Sequence, residues 1–233
     1  MVKRHLKTLT VPKTWPIKRK GQKFVVRPTP SKKYMTSIPL SLVFKTMLKS
    51  CKTMKEVKNI LQDKEVFLNG RRQKNPRSLL GLMDVLSVPE SKEYYRLIIN
   101  KNKKLQIIKI SDKEAQFKLC KVIGKTFLKK GVVQLNLSDG RNINVKKDKF
   151  VVGDSLLIEL PKQKIKEHYK FEKGSYAYLV KGKHIGAQGT VQDIVSEGAQ
   201  TMVSIKTSKG VFKTPKDAVF IIGKDKPAIK IEK

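Results

Sequence analysis

The sequence lacks the features that define membrane, secreted and metal-binding proteins. No apolar run approaches the roughly 18 residues of a membrane-spanning helix, and the N-terminus lacks the apolar core of a signal peptide. Cys51 and Cys120 lie far apart, with no Cys-x-x-Cys pair and no histidine pair beside them, so they indicate neither a zinc site nor a disulfide framework. We therefore expect an intracellular protein with two buried thiols.

Groups suited to catalysis are also scarce. The three histidines, His5, His168 and His184, lie in different segments, and none has a nucleophile or a metal-ligand spacing beside it. The glycines from Gly182 to Gly189 match neither a P-loop nor a dinucleotide-binding fingerprint. We expect no enzymatic activity, no cofactor, no metal and no small-molecule substrate.

Negative charge is absent from the start of the chain. No Asp or Glu precedes Glu56, whereas the first 55 residues carry 15 Lys and Arg. The whole 233-residue chain has 52 basic and 19 acidic residues and a formal charge of +33. A segment that cannot neutralise itself attracts an external polyanion, because each cation held near a phosphate releases condensed counterions. The composition predicts a nucleic-acid partner.

The sequence pattern divides the chain into four segments and predicts an α+β fold. They are an extended basic arm over residues 1–37, a small α/β module over 38–92, a mostly antiparallel β-rich central domain over 93–172, and a C-terminal β-barrel over 173–233.

The arm contains four prolines and shows no sustained helical or strand period. Such a composition favours a segment that becomes ordered when a polyanion relieves its charge repulsion. Trp15 has two interpretations between which the sequence does not choose. It either stacks on a base or fills a pocket of the partner, or it packs on the body of this protein.

The α/β module is predicted from local signals. Apolar residues recur at helical spacing from Leu40 to Leu48, and Thr53 with Glu56 forms a capping box that opens a second helix. Asn69-Gly70 is the strongest short hairpin signal in the chain. A further strand is expected over residues 82–88.

Beyond residue 92 the pattern is mainly that of strands. Strand-like runs occupy residues 94–99, 105–110, 131–137, 141–145 and 155–160. A short helix is expected between them, because Ser111 and Glu114 form a second capping box before Ala115, Phe117 and Leu119. Near the C-terminus, strands flank a basic loop in which Gly182, Gly186 and Gly189 are expected to allow positive φ and close backbone approach, and later strands close the barrel.

Two segments resemble known RNA-associated modules. Residues 40–88, which include Val66-Phe67-Leu68-Asn69-Gly70-Arg71-Arg72, resemble the S-four-like RNA-binding module of translation proteins. Residues 177–191 resemble the KOW motif, in which a basic glycine loop lies between strands of an SH3-like barrel.

The wider pattern is similar, in order and over nearly the whole chain, to the archaeal and eukaryotic family of small-subunit ribosomal protein four, the "e" type. The matching stretches are Lys3-Arg4-His5-Leu6-Lys7, Pro12-Lys13-Thr14-Trp15, Arg27-Pro28, Ile38-Pro39-Leu40, Gly81-Leu82-Met83-Asp84-Val85, Lys118-Leu119-Cys120-Lys121-Val122, Gln134-Leu135-Asn136-Leu137-Ser138-Asp139-Gly140-Arg141 and Phe220-Ile221-Ile222-Gly223. The resemblance implies a structural constituent of the small ribosomal subunit that is cytoplasmic and ribosome-bound. Its implied partners are ribosomal RNA and neighbouring small-subunit proteins, and the short C-terminus favours a compact, archaeal-type member.

Two other functions remain open at this point. An RNA-modifying, ribosome-assembly or quality-control factor can also carry an S-four-like module, although an RNA-modifying enzyme would need a catalytic domain for which no segment remains. A general cationic protein that compacts nucleic acids would explain the charge, but it would not prefer small-subunit RNA over duplex DNA.

Four cations after the predicted hairpin are the strongest RNA-binding candidates, Arg71, Arg72, Lys74 and Arg77. Arg forks suit phosphate oxygens and stack on exposed bases, whereas a single cation on a turn is usually only solvated. The full set of candidates is Lys3, Arg4, Lys7, Lys13, Trp15, Arg19, Arg27, Lys45, Lys49, Arg71, Arg72, Lys74, Arg77, Arg141, Lys181 and Lys183.

Overall fold

The computed structural model describes residues 5–146, 148–197, 200–207 and 210–231. The chain divides between Gln116 and Phe117 into two compact units. The sheets are antiparallel throughout the described residues and the helices are short, so the fold is α+β and mostly β. No helix in the described ranges is long and apolar enough to cross a membrane.

The first unit combines short helices with three sheets. Its strands are β1 (Leu6–Lys7), β2 (Phe24–Val25), β3 (Ser37–Pro39), β4 (Phe67–Leu68), β5 (Arg71–Arg72), β6 (Leu79–Gly81), β7 (Val85–Val88), β8 (Glu93–Ile99) and β9 (Leu105–Lys109). Its helices are α1 (Leu40–Leu42), which continues as a π-helical turn over Val43–Met47, α2 (Met54–Asp63) and α3 (Asp112–Ala115). β1 pairs with β2, β3 pairs with β6, and the largest sheet has the order β5-β4-β7-β8-β9.

Helix α2 begins at the predicted capping box. The Thr53 hydroxyl accepts a hydrogen bond from the Glu56 amide at 3.2 Å, and the Glu56 carboxylate accepts from the Lys52 amide at 2.8 Å. The Lys52 amide and the Thr53 hydroxyl, which donates to the same carboxylate at 2.7 Å, lower the pKa of Glu56 because they favour its charged form. Val57 and Leu61, one turn apart, are fully buried and attach the helix to the core.

The five-stranded sheet extends further along the chain than the segment pattern indicated. Residues 93–109, which the sequence analysis assigned to the central domain, form β8 and β9, because the pairing of Val88 with Glu93 joins β8 directly to β7. The strand expected over residues 82–88 begins only at Val85. Before it, a turn closed by the Asp84 amide and the Gly81 carbonyl (3.1 Å) reverses the chain, with Met83 at φ 62°.

The second unit contains two five-stranded sheets. Its strands are β10 (Phe117–Phe127), β11 (Val133–Leu137), β12 (Asn142–Val145), β13 (Ser155–Glu159), β14 (Ile165–Tyr169), β15 (Tyr176–Leu179), β16 (Gln188–Glu197), β17 (Gln200–Thr207), β18 (Gly210–Pro215) and β19 (Val219–Gly223). The strand orders are β12-β11-β10-β13-β14 and β18-β17-β16-β15-β19.

The short helix expected after Ser111 is confirmed as α3, and the Ser111 hydroxyl accepts a hydrogen bond from the Glu114 amide at 3.3 Å. The helix ends at Ala115, and Phe117 and Leu119 already belong to β10. Ladder hydrogen bonds to β11 on one side and β13 on the other hold this segment extended. Cys120 and Val122 of β10 lie in the buried core between these strands, together with Leu135 and Leu156. Cys51 and Cys120 are both buried thiols, as expected.

Candidate nucleic-acid interface

The hairpin between β4 and β5 presents two adjacent arginines at the surface. Asn69 and Gly70 have φ values of 52° and 74°, the two positive angles that a type I′ turn needs to join twisted antiparallel strands. Arg71 and Arg72 follow as β5 at the edge of the sheet, and both are exposed. Arg72 forms an exposed ion pair with Glu65 at 3.7 Å and donates to the Gln62 carbonyl at 3.4 Å, and its side chain remains 40% exposed.

A buried carboxylate fixes the base of this hairpin. Asp84 accepts hydrogen bonds from the Asn69 side-chain amide at 3.0 Å and from the Gly81 main-chain amide at 2.6 Å, and it forms an ion pair with Lys32. The Asn69 side-chain carbonyl in turn accepts from the Val85 amide at 3.0 Å. Because these groups are buried and mutually satisfied, the turn that carries the arginines is rigid.

Lys74 and Arg77 are exposed in the loop that follows β5. The Asn75 side-chain carbonyl accepts a hydrogen bond from the Arg77 amide at 2.9 Å, and the Arg77 carbonyl accepts from the Thr29 amide at 3.0 Å. All four cations predicted to follow the hairpin are thus exposed in the first unit.

The N-terminal arm packs on the first unit, with its tryptophan in the interior. The Trp15 side chain is 1% exposed, and its indole N–H donates to the Tyr34 carbonyl at 3.0 Å. The Thr14 carbonyl accepts from the amide of Leu105, the first residue of β9, at 2.8 Å. Of the two interpretations of Trp15, packing on the body of the protein is the one observed.

The other arm candidates differ in accessibility. Lys7 and Lys13 are exposed, and Arg27 is half-buried. Arg19 is directed inward, because its guanidinium nitrogens donate to the carbonyls of Leu9 and Val11 at 3.1 and 3.0 Å. Arg19 therefore stabilises the fold of the arm, and its guanidinium is not free to bind a phosphate through both nitrogens. Lys3 and Arg4 lie outside the described residues.

Lys45 and Lys49 lie on the helical segment that α1 opens. Lys45 is half-buried in the π-helical turn, and Lys49 is exposed just beyond it with φ 56°. The Leu48 amide donates to the Val43 carbonyl at 3.0 Å, the wide spacing of a π turn, so the two lysines are not on a regular α-helical stripe.

In the second unit, Arg141 is held by a neighbouring carboxylate. Its Nε lies 3.4 Å from Asp139, which also pairs with the buried ammonium of Lys118 at 2.5 Å. Although burial raises the pKa of Asp139, the charge and hydrogen bond of Lys118 and the contacts of Arg141 lower it overall. The Arg141 side chain is only 18% exposed, so its first role is to stabilise the turn before β12.

Lys181 and Lys183 are exposed on either side of Gly182, in the loop between β15 and β16. Gly182 and Gly186 have φ values of 89° and 84°, whereas Gly189 has ordinary φ but lies against the Lys206 carbonyl. Next to these lysines, the His184 ring stacks on Phe212 with a centroid separation of 3.8 Å and an interplanar angle of 13°. Sequence reasoning did not pair these two rings, since only the sheet brings β18 near the loop.

Sequence reasoning also missed a cleft in the first unit where the arm meets α2 and the loop after β5. The cleft has a volume of 260 Å³, and among the residues that line it are His5, Phe24, Arg27, Lys58 and Arg77. Arg27 and Arg77 were predicted separately, and the fold brings them together. In the described part of the chain, no group of three or more His, Cys, Asp or Glu side chains is arranged to hold a metal ion.

Comparison with protein families and known proteins gives matches over nearly the whole chain. A family model described as "Ribosomal family S4e" matches residues 91–165, and one described as "RS4NT (NUC023) domain" matches residues 2–30. The chain is 39% identical over 240 residues to small ribosomal subunit protein eS4 of Methanocaldococcus jannaschii, covering 98% of each chain. It is 35% identical over 250 residues to the eS4 protein of Methanopyrus kandleri, covering 99% of this chain and 96% of the relative.

A solved structure has a similar fold. The crystal structure of the 30S ribosomal protein S4e from Thermoplasma acidophilum matches with a TM-score of 0.70 and 30% sequence identity. The match covers 81% of this chain and 95% of that protein.

Proposed function

The chain belongs to the eS4 family of small ribosomal subunit proteins, and we propose that its exposed arginines and lysines bind ribosomal RNA to stabilise the folded body of the subunit. As a member of this family it is a structural constituent of the small subunit and is bound to the ribosome. Its action is that of a scaffold, which neutralises phosphates that would otherwise repel as RNA helices pack together.

The observation that carries the site assignment is the rigid hairpin with Arg71 and Arg72 at its exposed edge. The Asp84 network holds the turn before RNA arrives, so little conformational entropy is lost when the guanidinium groups meet phosphates. Lys74 and Arg77 extend the same edge, and Lys7, Lys13, Lys45 and Lys49 add exposed or half-buried positive charge to the first unit.

The segments have distinct roles in this proposal. The arm over residues 1–37 and an S-four-like module over 38–92 bind RNA, and the central segment over 93–172 lends β8 and β9 to the sheet of that module. Residues 173–233 form an SH3-like barrel with a KOW motif, whose loop presents Lys181 and Lys183. The five-stranded sheet β18-β17-β16-β15-β19 and the positive φ values of Gly182 and Gly186 support that reading.

The partners of these surfaces are small-subunit ribosomal RNA and neighbouring small-subunit proteins, and the protein acts in the cytoplasm. Sedimentation of a cell lysate through sucrose gradients at moderate and high salt tests the assignment. We expect comigration with small subunits that resists high salt. Release into the soluble fractions, or comigration only with precursor particles, would favour an assembly or RNA-modifying factor instead.

A further inference from the structure

The cleft where the arm meets α2 has an aromatic wall that remains open to solvent. Phe24 is 48% exposed although it lies in β2, where it pairs with Lys7 of β1. The His5 ring packs against Phe24 in a tilted arrangement, with ring centroids 5.3 Å apart and an interplanar angle of 44°. An aromatic ring held this way offers a face to a planar partner at a small cost in conformational entropy.

The opposite walls of the cleft carry positive charge. Arg27 follows β2, Lys58 projects from α2, and Arg77 lies in the loop after β5. Among the described residues, none of the three forms an ion pair with a carboxylate, and no acidic side chain lines the cleft. These cations are therefore available to a phosphate of a bound partner.

The cleft is built by contacts within the first unit. The Thr8 hydroxyl donates to the Gln22 carbonyl at 2.6 Å and closes the arm on itself, while the Asn75 side chain donates to the Thr29 hydroxyl at 3.3 Å and ties the arm to the loop after β5. The cleft volume of 260 Å³ lies below the ~300–1,000 Å³ of pockets for drug-sized ligands. That size suits a single nucleobase.

We propose that this cleft binds one unpaired nucleotide of RNA, with its base stacked on Phe24 and its phosphate held by Arg27 and Arg77. Aromatic rings beside arginines are the recurring way in which proteins hold splayed-out bases, because every base has a π-face and every nucleotide has a phosphate. The inference rests on the proposed binding of ribosomal RNA and adds a defined nucleotide site to it. Two lysines add to the positive field. Lys58 lines the cleft, and the ammonium of Lys23 lies 5.6 Å from the centroid of the Phe24 ring.

The first test compares the affinity of full-length variants for purified small-subunit ribosomal RNA and for a single-stranded RNA hexamer. Base stacking on an aromatic side chain is worth ~1–3 kcal/mol, so Phe24→Ala is expected to weaken binding to both probes by about 5- to 150-fold. Phe24→Tyr keeps the ring and should retain the affinity. Met35→Ala is the matched control, because Met35 is also exposed in the first unit (60%) and does not line the cleft.

The outcomes separate this inference from the proposed function. If the wild-type protein does not bind ribosomal RNA, the proposed function fails. If it binds normally and Phe24→Ala binds equally well, the RNA site at the cleft is wrong.

A second test needs no substitution and so does not depend on how well the variants fold. Small subunits containing the wild-type protein are irradiated with ultraviolet light, and the peptide containing Phe24 is analysed by mass spectrometry. We expect the mass of one nucleotide on that peptide. A peptide that carries no nucleotide while others in the protein do, or one that is joined to a neighbouring protein, would overturn the proposal.

Discussion

The side-chain amide of Asn69 donates a hydrogen bond of 3.0 Å to the carboxylate of Asp84, and both residues are buried. Asn69 is the first residue of the hairpin turn, and Asp84 lies in the turn before β7. The contact therefore connects the arginine-bearing hairpin to the chain reversal that Gly81 and Asp84 close. One carboxylate controls the geometry of two turns.

Asp84→Ala is expected to destabilise the first unit by about 3 kcal/mol, because it leaves the Lys32 ammonium, the Gly81 amide and the Asn69 amide without their acceptor. Denaturant unfolding followed by the fluorescence of Trp15, the one tryptophan of the chain, measures the loss. Asp63→Ala at the exposed end of α2 is the control and should change stability by less than about 0.5 kcal/mol. Equal effects of the two substitutions would show that the buried network does not stabilise the unit.

The double variant Arg71→Glu/Arg72→Glu is expected to weaken binding to small-subunit ribosomal RNA while the protein remains cooperatively folded. Both side chains are exposed, so their reversal removes phosphate contacts without opening the core. The logarithm of the association constant decreases linearly with the logarithm of the salt concentration. The steepness of that decrease should be smaller by roughly 0.7–0.9 for each lost phosphate contact.

The matched control for this variant is Lys101→Glu/Lys103→Glu in the β8–β9 turn, which changes the net charge by the same amount within the same unit. If the two double variants lose the same affinity, binding depends on net charge alone. The assignment of the hairpin as an RNA site would then be wrong.

Trp15 tests whether the arm is folded before RNA binds. Because its indole is buried and donates to the Tyr34 carbonyl, its fluorescence in the free protein should be blue-shifted and protected from acrylamide. Trp15→Ala should destabilise the first unit by ~3–5 kcal/mol, the usual cost of removing a large buried aromatic residue, whereas Trp15→Phe should cost less. Strong acrylamide quenching that disappears only when ribosomal RNA is added would instead support an arm that becomes ordered on its partner.

Local signals in the sequence predicted the parts of the fold that local interactions determine. The capping box of Thr53 and Glu56 and the hairpin at Asn69-Gly70 each satisfy their own backbone groups, so neighbouring residues suffice to identify them. The capping box of Ser111 and Glu114 likewise predicts α3, but it does not show where the helix ends, and the segment from Phe117 to Leu119 already belongs to β10. Its strand conformation comes from ladders to β11 and β13, which pair residues far apart in the sequence.

The proposed binding site shows the same division. The exposure of the cations after the hairpin was predictable, because they follow the turn closely in the sequence. The inward direction of Arg19 and the pairing of Arg141 were not, because each depends on how its turn folds. The cleft at Phe24 was missed because its walls come from three segments of the chain, and only tertiary packing brings them together.

Lys121 gives the second unit a specific pH dependence. Its ammonium donates to the carbonyls of Lys216 and Val219 at 2.9 and 2.6 Å, and burial lowers its pKa from 10.5 to about 8. Between these two values the unfolded chain binds more protons than the folded one, so the contribution of Lys121 to stability rises with pH across this window.

The free energy of unfolding of the wild type, relative to that of Lys121→Met, should therefore increase by up to about 3 kcal/mol from pH 7.5 to 10.5. Denaturant unfolding followed by circular dichroism measures it. Lys162→Met, at an exposed position of the same unit, should give a difference that does not vary with pH. A flat profile for Lys121→Met as well would mean that the carbonyl contacts keep the lysine pKa near its unfolded value.

Gly182 in the basic loop and Gly189 in the strand that follows it, β16, are required for different reasons. Substitution of each by alanine distinguishes the two reasons. A Cβ at Gly189 would lie 2.2 Å from the Lys206 carbonyl oxygen, so β16 and β17 would have to move apart. At Gly182 a Cβ meets nothing within 4 Å, but φ is 89°, which an L-residue adopts only with strain. Gly182→Ala should cost ~1–2 kcal/mol, and Gly189→Ala ~3 kcal/mol or more, because main-chain atoms cannot rotate away as a side chain does.

Hydrogen exchange distinguishes these two causes. In Gly189→Ala the amides near the Thr190–Lys206 pair should lose protection, since the ladder between the two strands opens there. In Gly182→Ala that ladder should stay protected, and only the loop with Lys181 and Lys183 should change. If both variants exposed the same amides, the close approach at Gly189 would not be what holds the two strands in register.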